Sequence, residues 1–208
     1  NNKRKHSTLP SYRTKILYPS GTFSWYDKNT HKIILEKIMT YPLVLFLYKR
    51  PQNASRLLNL GIQAKINTFY IFIDGPKKPK DTTLINQTKK IVKEFQTKHK
   101  NIDINLFVSP KNLGLQQSIV TGLNQVFKKE SAAIILEDDC IPSLDFFKFT
   151  TQMLIKYKNN PKIMSVTGSG VGEFSKFSYD FSRYQQCWGW GTWKRAWKLY
   201  DPTLSNLK

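Results

Sequence analysis

The tripeptide Glu137-Asp138-Asp139 stands directly after four apolar residues, Ala133 to Leu136, and shortly before Pro142. Adjacent carboxylates repel and raise one another's pKa unless a cation sits between them. Hard oxygen donors at the corner between a strand and a turn suit Mg²⁺ or Mn²⁺, ions that bridge to substrate phosphates. Polar groups recur at comparable places. Lys49 and Arg50 follow the apolar run Leu43 to Tyr48, and Asp74 ends the run from Asn67. Lys111, Asn112 and Gly114 follow the run Asp103 to Val108. An Arg so placed pairs with phosphate or stacks on a base, and Asp74 can accept a hydrogen bond from a base N–H. The set suits a nucleotide diphosphate with a divalent metal. Each item also has a plainer explanation. The acids favour a helix N-terminus, Arg50 suits an ordinary surface, Asp74 before Gly75-Pro76 suits a turn, and Asn112 to Gly114 suits a loop with a left-handed residue. Their succession at four consecutive strand ends is what favours a ligand, because open α/β sheets bind ligands outside the carboxyl ends of their strands.

The elements that must position these residues are legible from periodicity. LVLFL, FYIFI and AIIL are continuous apolar runs, as expected of strands buried on both faces. A helical stretch with Leu57, Leu58 and Ile62 on one side follows the first run. The second run leads to a helix with Asp81 as its cap and Ile85, Val92 and Phe95 on its inner face. A third helix is expected from about Leu115 to Lys129. Ser143 is placed to cap a fourth, with Phe146, Phe147, Phe149, Met153, Leu154 and Tyr157 as its apolar residues. KIMSVTG, 162–168, reads as a fifth short strand. Alternation at this spacing predicts an α/β fold, a mostly parallel central sheet with helices on both faces. Residues 1–40 read as a polar N-terminal extension with a helix-like piece, Lys32 to Met39.

The 208 residues are 40% hydrophobic, enough for one sizeable core. Thirty-three Lys and Arg against 14 Asp and Glu give a net charge of +19. Such a field attracts polyanions, anionic lipid surfaces or phosphorylated substrates. The lysines are spread along the chain with no compact Arg-rich helix, and most aromatics fall within apolar strand or helix patterns. That counts against a nucleic-acid-binding module, which interleaves aromatics with basic residues on one exposed face. Cys140 and Cys187 form neither a disulfide framework nor a zinc site, and a reducing, cytoplasmic setting is expected. No apolar run is long enough for a membrane span, and no signal peptide is visible. The missing initiator Met reads as a fragment of a longer protein.

The succession YPLVLFLYKRP, FYIFIDGPKKPKD, NLGLQQSIVTGLNQVF and ILEDDCIPSLDFFKF resembles nucleotide-diphospho-sugar glycosyltransferases of the GT-A fold. The likeness is to bacterial family-two enzymes and the N-acetylglucosaminyltransferase I group, over about Pro42 to Asp201. CWGWGTWKRAW, Cys187 to Trp197, is similar to the WGW-x-TW-x-RAW stretch of bacterial members. The resemblance implies a Rossmann-like GT-A nucleotide-sugar-binding domain over 41–208, truncated at its C-terminal acceptor part. It implies that Arg50 contacts the nucleotide, Asp74 holds uracil or another base, and Asn112 and Gly114 lie beside the diphosphate. Asp139 would be the metal ligand for Mn²⁺ or Mg²⁺, Asp138 would lie nearer the ribose, and Glu137 nearer the donor sugar. The expected reaction is inverting transfer to a glycan or lipid-linked acceptor, at the inner membrane face if the basic surface meets anionic lipid. Asp201 is the candidate base, with Asp180 the other nearby acid. Trp190, Trp193 and Trp197 fall at helical spacing. Trp188 and Trp190 are expected near the sugar, and Trp193 and Trp197 in the core. Three alternatives stay open: a nucleotidyltransferase, which would want a Gly-rich loop where this chain has YKRPQNAS, a non-catalytic nucleotide-sugar- or glycan-binding domain, and a basic nucleic-acid-binding module.

Overall fold

The computed structural model describes residues 40–169, 179–203 and 205, together with the backbone of 13–17, 23–27 and 32–36. The chain divides into two compact units, Asn1–Met39 and Thr40–Lys208. In the first, β1 (Arg13–Leu17), β2 (Phe23–Asp27) and β3 (Lys32–Glu36) form an antiparallel sheet in that order. The helix expected from Lys32 is therefore a strand. The sequence Ile33-Ile34 is a β-branched pair of the type that favours strands, and β2 supplies a backbone partner in full register.

The second unit is an α/β, Rossmann-like fold. In chain order it comprises β4 (Leu43–Leu47), α1 (Pro51–Gln63), β5 (Thr68–Ile73), α2 (Thr82–Lys98), β6 (Asp103–Val108), α3 (Leu115–Lys129) and β7 (Ala132–Glu137). Then follow α4 (Leu144–Lys156), β8 (Ser165–Thr167), β9 (Trp190–Trp193) and α5 (Lys194–Trp197). The six strands lie in the order β6-β5-β4-β7-β9-β8. The first four are parallel, and β9 runs antiparallel to both its neighbours.

Strand alternation divides the core. Leu43, Leu45, Leu47, Phe69, Ile71, Ile134 and Leu136 face the layer formed by α1, α2 and α4. Val44, Phe46, Tyr70, Ala133 and Ile135 face the opposite layer, formed by α3. The reason is topological. From β4 the chain steps outward to β5 and β6, then α3 carries it back past β4 to β7. Reversing direction while keeping the crossover hand puts the returning helix on the other face. The reversal also creates a switch point between β4 and β7, where their carboxyl ends part and a crevice opens.

The tryptophan segment corrects a second expectation. Trp190 to Trp193 is a strand paired to β7 and β8, so a spacing of three puts the two rings on opposite faces rather than one. Trp193 joins the α4 layer and Trp190 the α3 layer. The strand expected over 162–168 is shorter, Ser165–Thr167, and lies at the sheet edge beyond β9.

Candidate functional site

Each parallel strand delivers its polar group to the same end of the sheet. The result is a cleft of about 700 Å³ lined by Arg50, Asp74, Asn112, Gly114, Glu137, Asp138 and Asp139. These seven come from four different loops and from 90 residues of chain.

The acidic turn and the loop after β4 are tied across the switch point. Asp138 is buried, and its carboxylate accepts from the Tyr48 backbone N–H at 3.0 Å and from the Arg50 guanidinium. Asn53, in the first turn of α1, donates its side-chain amide to the Asp138 carbonyl at 2.7 Å. This carboxylate is turned into the protein. Asp139 is more than half exposed, with one oxygen 3.4 Å from the same Arg50 and the other accepting from the Cys140 thiol at 3.6 Å. Glu137 is half-buried at the end of β7, and its carboxyl is held above the usual range, first by burial and then by its acidic neighbours. Cys140 beside them is pushed up to about 11, chiefly by burial, so it stays a thiol at neutral pH.

A second clasp fixes the loops after β5 and β6. One Asp74 oxygen accepts from the N–H groups of Gly75 at 2.8 Å and Leu113 at 2.9 Å. The other accepts from the Asn112 side-chain amide at 2.9 Å and the Gly114 N–H at 3.0 Å. Asn112 gives its other amide hydrogen to the Gly75 carbonyl at 2.9 Å. Gly75 lies so close to Lys111 that a Cβ there would stand 2.5 Å from its backbone. Gly114 has φ +77°, a left-handed conformation that glycine adopts freely, and it opens α3.

Asp81 stands at the N-cap position of α2, but its side chain is engaged elsewhere. Its carboxylate makes no cap bond to α2. It accepts from the Tyr48 hydroxyl at 2.9 Å, the Lys49 ammonium at 2.9 Å and the Lys78 N–H at 3.1 Å. The Tyr48 hydroxyl accepts in turn from the Lys77 N–H at 2.9 Å. Tyr48 thereby joins the loop bearing Arg50 to the loop bearing Lys77, and both side chains line the cleft.

Tyr48, Asn53, Lys77 and the polar stripe of α3 were not singled out from the sequence. Ser118, Thr121, Gly122 and Gln125 line the cleft. They stand at i, i+3, i+4 and i+7, so a polar stripe on one side of an otherwise packed helix was the available signal. The cleft floor is apolar. Phe46, Phe72 and Phe107 stack across β4, β5 and β6 with centroids 5.2 and 4.8 Å apart.

Three expected site residues fall elsewhere. Trp190 is 8% exposed and packed in the α3 layer. Its burial stabilises by roughly 2–3 kcal/mol, against ~1 kcal/mol added by a typical aromatic contact, so packing prevails. Trp188 is exposed and is not among the cleft residues. Asp201 is not on the cleft either. It accepts from the N–H and hydroxyl of both Thr203 and Ser205, which hold its carboxyl far below the usual range. A carboxylate so stabilised is a weak proton acceptor.

The donor set allows a shared metal rather than a protein cage. Among the described residues no group of three or more His, Cys, Asp or Glu is arranged to hold a metal ion. A Mg²⁺-type site completed by substrate phosphates needs only one or two carboxylates, and Asp139 and Glu137 are the two not committed to hydrogen bonds with the backbone. The charge balance of the lining fits. Arg50 and Lys77 face Asp74, Glu137, Asp138 and Asp139, an excess of two negative charges with all four ionised. One divalent cation would offset it.

No family model and no curated protein sequence matches the chain. Among solved structures it is similar to a UDP-glucose pyrophosphorylase complexed with UDP-glucose, at TM-score 0.40 and 11% identity over 61% of this chain and 56% of that one. It is also similar to a 4-diphosphocytidyl-2C-methyl-D-erythritol synthase from Anaerococcus prevotii, at TM-score 0.46 and 14% identity over 75% and 71%. A second structure of a synthase of that name gives 0.41 and 10% over 79% and 82%. The chain thus spans little more than half the length of the pyrophosphorylase. Likeness at this level is loose and assigns no activity.

Proposed function

We propose that the cleft binds a nucleotide-diphospho-sugar, a uridine diphosphate species, and that the protein transfers the sugar to a hydroxyl of a glycan or lipid-linked acceptor. The observation that supports this best is the convergence of Arg50 and the acidic turn across the β4–β7 switch point, with Asp139 turned outward. Along the strand ends the cleft runs from the apolar β6 side to the charged β7 side. Three strand spacings make about 14 Å, room for a base at one end and phosphates at the other.

In this reading Arg50 and Lys77 meet the diphosphate. Arg50 is held by Asp138, so little side-chain entropy is lost when it binds. Asp139, with Glu137 beside it, would hold Mg²⁺ or Mn²⁺, which when bound neutralises the charge developing on the leaving diphosphate. Glu137, half-buried beside Asp139, is the residue proposed to lie nearer the donor sugar. Asp201 is not carried forward as the base.

A nucleotidyltransferase would need backbone N–H groups cradling a triphosphate directly after the first core strand. Here only three residues, Tyr48 to Arg50, separate Leu47 from Pro51 at the start of α1, and none is glycine. That geometry favours a diphosphate donor held by side chains.

The test is calorimetric titration with UDP and UDP-sugars, with Mn²⁺ and with chelator, on the wild type and Asp139→Ala. Metal-dependent binding weakened at least about tenfold by the substitution supports the proposal. Equal binding in chelator, or an Asp139→Ala variant that binds as well as the wild type, removes it.

A further inference from the structure

The Asp74 carboxylate has about four lone-pair positions, and four protein donors fill them: the N–H groups of Gly75, Leu113 and Gly114, and the Asn112 amide. A base N–H would have to displace one of these charge-assisted bonds, which are the strong ones. Displacing any of the three donors from residues 112–114 also loosens the loop that opens α3.

Asn112 is placed differently. Its NH₂ lies between two acceptors, Asp74 Oδ2 and the Gly75 carbonyl, each at 2.9 Å. Both hydrogens are committed, so the amide cannot be flipped without facing oxygen with oxygen. The orientation sets Oδ1 on the other side. Asn112 lines the same cleft as the stacked Phe72 and Phe107, and no hydrogen bond to its Oδ1 occurs among the described residues.

We propose that the Asn112 side-chain carbonyl accepts the imide N–H of a uracil-type base, and that Asp74 is a positioning residue that fixes the direction of that carbonyl. The inference rests on the nucleotide reading of the cleft and names the atom that would select the base. Uracil presents a donor at N3, which a fixed acceptor complements. A ligand methylated at N3 presents none and adds bulk.

UDP and N3-methyl-UDP are titrated into the wild type and Asn112→Ala with Mn²⁺ present. The wild type should prefer UDP by at least about tenfold, and Asn112→Ala should bring the ratio near one. The ratio isolates recognition, since loop damage weakens both ligands alike. Retention of the preference by Asn112→Ala overturns the assignment, as does a wild type that does not discriminate. Binding of neither ligand by the wild type overturns the nucleotide reading as well, which separates the two failures. A readout on the unsubstituted protein guards against a variant that does not fold. The Asn112 side-chain amide resonances should shift with UDP and far less with N3-methyl-UDP, and equal shifts count against the proposal.

Discussion

At the scale of single residues, the acidic turn is three carboxylates with three different occupations. Asp138 is internal and paired, Asp139 faces outward, and Glu137 lies between. Arg50→Ala leaves Asp138 buried without its partner. About 1 kcal/mol of stability should be lost, a small figure because half of the Arg50 side chain is in water. Donor binding should fall far more, by tenfold or greater, and calorimetry alongside thermal denaturation separates the two effects. Glu137 carries a pH signature. Its folded-state pKa is raised, so the folded chain holds the proton more tightly than the unfolded chain. Stability is therefore lost as pH rises from the unfolded value through the folded one, and the penalty is complete above it. In chelator, Glu137→Gln should raise Tm at pH 7.5 and make no difference near pH ~4. A variant less stable than the wild type at neutral pH would show that the carboxylate is an asset there.

At the scale of elements, two clasps between loops border the cleft, and the one joining the loops after β5 and β6 depends on a close backbone approach. Gly75→Ala should cost about 1–3 kcal/mol. A Cβ there meets the Lys111 backbone, which cannot rotate away as a side chain would. Urea denaturation reads the cost, and a stability unchanged within error would mean the two loops part easily. The strand ends were legible beforehand because parallel strands buried on both faces are continuous apolar runs, so LVLFL, FYIFI and AIIL announced themselves and their polar termini with them. The tryptophan segment was not legible. Spacings of three and four fit a helix, and only pairing with β7 and β8, distant in sequence, makes it a strand. Likewise Asp81 reads locally as a cap. Its real partners, Tyr48 and Lys49, lie on the loop after β4, where no local pattern reaches.

At the scale of the whole molecule, two electrostatic levels oppose each other. The chain carries +19, while its cleft lining has an excess of two negative charges. In the proposed reading, the long-range field would gather anions and the local acids would favour a diphosphate that arrives with a cation. The same field predicts a surface role. The outward side of α2 carries Lys89, Lys90, Lys93 and Lys98 with Glu94 as the only acid among them, and no helix among the described residues is long and apolar enough to cross a membrane. If the acceptor is lipid-linked, this side is suited to an anionic bilayer, at about 1 kcal/mol per Lys near the surface. The protein should then sediment with vesicles rich in anionic lipid and not with neutral ones, and the binding should vanish by ~0.5 M salt. Changing the four lysines to Gln should weaken partitioning by at least about tenfold and leave UDP affinity unaltered, because none of the four lines the cleft. Salt-resistant binding to neutral vesicles would mean that an apolar surface makes the contact and the lysines only keep α2 solvated.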